Sequence, residues 1–239
     1  MKNGADIPWT RLSTEVAAIV GSIMLAFWID AWWDEQADRR QERALLEALL
    51  SDFQTARAVF DASTNGHYRV FRSMEKWLYW AEQGSVPEDE IESADFTLGS
   101  VFYRGTFEPP MGAVDTLLAS GRLDLLSSPG LVAELTRWKA LVDKLNSDEI
   151  AAANHFYQTI YPYLLKRLNI QDLDKGIPYP GGVPWPQQQT DSHLLVSDRE
   201  FHNIIYVHWV LHWNVDSQLP GVDSALKKIT ELVEMELLH

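Results

Sequence analysis

From Val16 to Ile29 the chain reads VAAIVGSIMLAFWI, fourteen residues without a charge between Glu15 and Asp30. Alone, that run is too short to cross a bilayer, which takes about 20 apolar residues in a helix. Its flanks lengthen it. The apolar pattern resumes at Leu12 and at Trp32 and Trp33, and the 22 residues from Leu12 to Trp33 would extend roughly 33 Å at about 1.5 Å per residue. Glu15 and Asp30 fall near the ends, where carboxylates reach headgroup water. Trp9 stands at one end and Trp28, Trp32 and Trp33 at the other, as in the aromatic belts of membrane helices. The stretch therefore reads as a transmembrane helix. A cleaved signal peptide would need small residues at a cleavage site after the run, whereas this run closes on Phe27, Trp28 and Ile29. A buried core helix is the second alternative.

Inside the span Ala18, Ser22 and Ala26 recur four apart, with Ala17 and Gly21 beside them. Small residues at that spacing let two helix backbones approach, so self-association through this face is expected. Lys2 and Arg11 on one side nearly balance Arg39, Arg40 and Arg43 on the other. The reading places the short N-terminal side inside and the large acidic part outside.

Beyond the span, Gly21 is the only Gly or Pro between Ser13 and Asn65, so one helix is expected to leave the membrane and continue. Asp34 to Arg43 is almost wholly polar and reads as a solvated helical neck. Leu46, Leu49, Phe53, Ala56 and Phe60 then form a helical stripe, suited to a bundle. A second helix is expected over 67–83, stopped by Gly84, followed by an acidic loop, Ser85 to Ser93 (SVPEDEIES). Phe96 to Phe107 has no clear period. Met111 to Ser120 reads as a short helix ended by Gly121. Ser127-Ser128-Pro129 is a helix start, a hydroxyl cap followed by proline where its missing N–H costs nothing. Leu131, Leu135, Trp138, Val142 and Leu145 follow in helical register. That helix either continues towards Leu168, bent near Pro162, or breaks at Asn146 to Glu149. Gly176 to Gln189 (GIPYPGGVPWPQQQ) can only be a loop, and two last helices are expected on either side of Pro220-Gly221. No stretch alternates as a strand does. The fold class is all-α: residues 1–33 as tail and transmembrane helix, residues 34–239 as an extramembrane helical bundle with the Pro/Gly-rich loop at 176–189.

The 239 residues carry 20 Lys and Arg against 34 Asp and Glu, a net charge of −14. So acidic a surface argues against nucleic-acid binding. There is no cysteine, which removes disulfides, thiolate metal sites and thiol catalysis.

The join at Phe27 to Arg40 (FWIDAWWDEQADRR), with Leu45 to Asp52 (LLEALLSD) and Gly112 to Leu126 (GAVDTLLASGRLDLL), resembles an uncharacterised bacterial family of single-pass membrane proteins. That family is similar in its hydrophobic span, Trp-rich junction with a Glu-Gln pair, and Leu-rich helix. The resemblance covers about a quarter of the chain and implies a membrane anchor with a helical domain of unknown function.

The sharpest candidate chemistry is His208, His212 and Asp216, spaced i, i+4, i+8 on a predicted helix. Two His at i, i+4 can share a metal ion, but the helical zinc motif needs a catalytic Glu beside the first His and Trp209 stands there. His155 is a possible ligand from another helix; His202 is off the line. Bundle histidines that hydrogen-bond across helices are the plainer reading. No nucleophile elbow, phosphate loop or dinucleotide fingerprint is present. The clusters Tyr157 to Tyr163 (YQTIYPY) and Tyr179 to Trp185 (YPGGVPW) are the aromatic candidates for a pocket. The sequence therefore predicts a membrane-anchored module that binds itself or a membrane protein, with the bilayer as partner and no cofactor. A metal-dependent enzyme on the His208/His212 face is the alternative, and a ligand sensor with too short an N-terminal side for its own output domain is the third.

Overall fold

The computed structural model describes residues 9–102, 105–173 and 191–238, with side chains for 17–102, 105–170, 173 and 191–238. Every regular element among them is helical. The helices are α1 (Trp9–Gln83), α2 (Ile91–Ser100), α3 (Gly112–Ser120), α4 (Pro129–His155), α5 (Tyr161–Leu165), α6 (Ile170–Leu173) and α7 (Arg199–Leu237). The loop expected at 176–189, and with it Tyr179 to Trp185, lies outside the described residues.

α1 is a single helix of 75 residues, roughly 110 Å at about 1.5 Å per residue. The break expected at Asn65-Gly66 does not occur. The reason lies in the buried positions: Leu46, Leu49, Phe53, Ala56, Phe60, Ser63, His67, Val70, Met74 and Trp77 step by three and four without a slip. Packing along that uninterrupted stripe outweighs the roughly 1 kcal/mol that a mid-helix glycine costs. α7 behaves likewise. Pro220 lies inside it instead of dividing two helices, because Phe201, Ile205, His208, His212, Val215, Leu219, Val222, Leu226, Ile229 and Val233 form one buried 3–4 series.

α4 opens as its sequence foretells, with Pro129 in the first turn and the Ser128 hydroxyl accepting from the Leu131 N–H. It does not break at Asn146 to Glu149. Its buried series Leu131, Leu135, Trp138, Val142, Leu145, Glu149, Ala152 runs into a π-helical turn, Phe156–Ile160, and then α5. The π turn holds more residues than an α turn, so Phe156, Ile160 and Leu164, four apart, all stay buried where a regular helix would rotate them away. Pro162 follows directly, one of the common causes of a bend.

α1 and α4–α5 run in the same direction, and α7 runs back packed against α1 and α4. Steps alternating between three and four match the packing of left-handed bundles. Two hydrophobic cores result. The proximal core, nearer the apolar end of α1, joins Leu46 to Phe60, Leu131 to Leu145 and Val215 to Val233 with α3. The distal core joins Val70 to Trp80, Phe156 to Leu164, Phe201 and Ile205 with α2, α6 and the 3₁₀ turn Ser192–Ser197. The acidic stretch 85–93 is not wholly loop: it contains a 3₁₀ turn, Glu88–Glu90, and the start of α2. Gly84 and Gly121 end their helices with φ of 76° and 68°, the left-handed region that glycine enters freely.

Candidate functional site

The apolar end of α1 leaves the bundle. Residues 17–35 are exposed throughout, and α1 is the one helix among the described residues long and apolar enough to cross a membrane, with none of its most apolar window buried. The core-helix alternative is not met among the described residues, none of which covers this segment. Trp28, Trp32 and Trp33 are all exposed, the last two touching edge to face. Trp9 lies in the first turn of α1, its side chain outside those described. The small residues Ala18, Gly21, Ser22 and Ala26 are exposed too, and a Cβ added at Gly21 would meet nothing within 4 Å. The Ser22 hydroxyl donates to the Ala18 carbonyl at 2.7 Å, so the hydroxyl of the apolar run is satisfied within its own helix, as a hydroxyl placed in lipid would need to be.

The neck is less solitary than its composition suggests. Arg122 donates to Gln41 at 2.9 Å and approaches Asp38 at 3.5 Å, and the Ser127 N–H and hydroxyl both donate to Glu42. Nearly three turns higher, at 3.6 residues per turn, the Asp52 carboxylate accepts from the Ala113 N–H at 3.0 Å and so caps α3 from outside. Long polar side chains on α1 thus grip the α3 turn as a collar above the span. Stretches far apart in sequence, Phe27 to Arg40, Leu45 to Asp52 and Gly112 to Leu126, meet here.

The second candidate lies between the two cores. Each long helix carries polar residues at buried positions of its stripe: Ser63 and His67 on α1, Glu149 on α4, His208 and His212 on α7. Together they make a polar layer across the bundle. The Glu149 carboxylate accepts from His67 Nε2 at 2.8 Å and from the Phe107 N–H at 3.1 and 3.2 Å to its two oxygens. It ties α1, α4 and the segment before α3 at one point. Gly105 in that segment runs so close to α1 that an added Cβ would lie 2.6 Å from the Ser63 carbonyl oxygen. His208 stacks on His155, their Nδ1 atoms 3.4 Å apart, and meets His212 edge to face with ring centroids 4.7 Å apart. His212 lies 6.0 Å from His67, centroid to centroid. His67, Glu149, His208 and His212 line a narrow, partly open space of about 30 Å³ with Gly105, Thr106 and Phe156, room for about one or two waters. His67 Nδ1 and His212 Nδ1 are buried without a hydrogen-bond partner among the described residues.

Burial pushes His208 down to about 2, helped by His212 and His155, and pushes His212 down to about 3, helped by His67. Burial lowers His155 too. These imidazoles are neutral at physiological pH.

The expected ligand set does not assemble. Asp216 is exposed, since eight residues at about 100° each overshoot two turns by about 80°, and His202 is exposed as well. His155 does join the pair. Among the described residues no three His, Asp or Glu side chains are grouped so as to hold a metal ion. Of the aromatic cluster, Tyr163 is core: it stacks on Phe201 and donates to Asp198 at 2.6 Å.

Compared with protein-family models, curated proteins and solved structures, the chain matches none.

The sequence reading missed His67 and Glu149. Both sit in phase with an apolar stripe, and the phase was the signal: Glu149 follows Leu145 by four, as Leu135 follows Leu131.

Proposed function

We propose that the chain is a single-pass, membrane-anchored assembly module without catalytic chemistry of its own. What carries the reading is the apolar end of α1, which is long and apolar enough to span a bilayer and is covered by none of the described residues. A buried helix of that composition would be a core; an exposed one stays in water only at the cost of its whole apolar surface, about 25 cal/mol per Å². The collar holds the bundle against the helix that emerges, so the bundle is a fixed extension of the span. The resemblance of the Trp-rich junction to a family of bacterial single-pass proteins points the same way. In this reading the N-terminal side faces the cytoplasm of a bacterial cell and the acidic bundle faces the periplasm.

Lateral contact through Ala18, Gly21, Ser22 and Ala26 would bring copies together, and confinement to one surface raises their effective concentration. The test is alkaline carbonate extraction of membranes followed by protease treatment of intact and lysed cells. The chain is expected to stay with the membrane and its bundle to be cleaved only once the outer barrier is opened. Release by carbonate would end the anchored reading.

A further inference from the structure

We propose that the polar layer is an acid-operated latch: protons taken up by His208 and His212 part α7 from α1 and α4 at mid-height and open the distal core, while the proximal core stays closed. The latch does not depend on the anchor.

The geometry leaves an added proton nowhere to rest. His67 faces the layer from α1, Glu149 and His155 face it from α4, and His208 and His212 belong to α7. Glu108, the ionisable group among the described residues between α2 and α3, is exposed and does not line the space. Glu149 is the one carboxylate lining the space, and both of its oxygens are already engaged by His67 and the Phe107 N–H. A charged His208 would lie against His155 and His212, each a competitor for the same proton. The partly open space of about 30 Å³ beside these buried rings holds only about one or two waters, fewer than a charge needs, so hydrating the charge fully requires the helices to separate.

Separation favours the distal side because that half is assembled from short pieces. α2, α5, α6 and the Ser192–Ser197 turn are each at most ten residues long, and elements with few contacts open first. The proximal half consists of three long helices tied by the Arg57–Asp223 ion pair at 2.6 Å and by the Asp52 cap on α3. Trp77 and Trp80 report on the distal core and Trp138 on the proximal one.

The experiment takes the full chain in mild detergent from about pH 7.5 to about pH 4.5, a range in which only histidine among ordinary side chains changes charge fully. Near-ultraviolet circular dichroism follows tertiary packing, and amide exchange, corrected for its intrinsic pH dependence, follows each segment. The expected result is loss of protection in 67–102, 156–173 and 191–208 at a pH where 46–60, 131–145 and 215–233 remain protected. The opening constant should rise between about 10-fold and about 100-fold per pH unit, one to two protons. The double variant His208→Gln, His212→Gln should move the midpoint down by at least about one pH unit, since one proton site is worth about tenfold per unit. Opening of both halves together, an unmoved midpoint in the variant, or full protection at the lowest pH overturns the proposal. Should the variant fail to fold, exchange of the histidine Cε1 hydrogens in the unaltered chain decides. His208 and His212 gaining exchange together at the opening pH supports the latch. Either one titrating in the ordinary histidine range with packing unchanged overturns it.

Discussion

Glu149 shows how much one side chain can organise. Its carboxylate receives donors from α1 and from the segment before α3, at a position where its neighbours in the stripe are Leu145 and Ala152. Replacement by Ala strands His67 Nε2 and the Phe107 N–H in the core. A loss of about 3 kcal/mol is expected in denaturant unfolding of the full chain, since removing one member of a buried pair leaves the others unsatisfied. Glu149→Gln, which keeps an acceptor, should cost less. His208 and His212 add a pH dependence whose sign follows from their lowered values. Above about pH 6.5 neither the folded nor the unfolded chain protonates them, so stability is flat. Between there and about pH 3 the unfolded chain binds protons that the folded chain refuses, and stability falls as pH falls, by about 1.4 kcal/mol per unit for each histidine. The pair together accounts for about 4 kcal/mol between pH 6.5 and pH 5, measurable as a falling midpoint in denaturant titrations. A flat profile over that range would show both imidazoles to be solvated. The two α7 histidines were legible in the sequence as a pair on one helix face. His155 was named beside them, but His67 and Glu149 were not legible, because a lone His or Glu carries no local mark of burial; only its phase within a stripe does.

At the scale of elements, the 3–4 series outweighed the local signals. Gly66, Pro220 and the polar run Asn146 to Glu149 each look like an end, and each lies inside a helix because the core positions on either side stay in register. Where no packing competes, local chemistry decided correctly: Gly84 and Gly121 stop their helices and Ser128 starts one. The segment between α2 and α3 was illegible for a different reason. It has no period of its own, and its path is set by contacts that the sequence does not display, Phe107 against Phe60 and Trp138 and Gly105 against the Ser63 carbonyl. Gly105→Ala is expected to destabilise the chain by at least about 2 kcal/mol, because the obstructing atom is backbone and cannot rotate aside. An unchanged unfolding midpoint would mean that the segment lies farther from α1. The α3 turn offers a milder case. Arg122→Ala removes exposed bonds to Gln41 and Asp38, each worth under about 1 kcal/mol, so global stability should barely change. Amide protection in 112–127 should nevertheless drop, since the collar loses part of its hold.

For the whole molecule, two tendencies oppose each other. In the proposed assembly the span would present a small-residue face suited to close approach, while each copy carries a net charge of −14, and the continuity of α1 would keep the bundles from swinging apart freely. Repulsion between the acidic bundles is screened over about 10 Å at 0.1 M salt, so association through the span should strengthen as ionic strength rises. The chain is well suited to showing this, because it has no cysteine of its own and every cross-link can be assigned to an introduced one. Single substitutions Ala18→Cys, Ser22→Cys and Ala26→Cys lie on one face of α1; Val20→Cys, Met24→Cys and Phe27→Cys lie on the opposite side. In reconstituted vesicles under mild oxidation, the first set should form dimers several-fold faster than the second, and the difference should widen between about 0.02 and about 0.15 M salt. Gly21→Ile, which places a branched side chain where nothing now lies within 4 Å, should suppress the cross-links without altering carbonate resistance. Equal rates on both faces would mean random collision in the bilayer. Cross-links favouring Val20 and Met24 would move the contact to the other side of the helix. Only the expected pattern makes the exposed small residues the seam of an assembly.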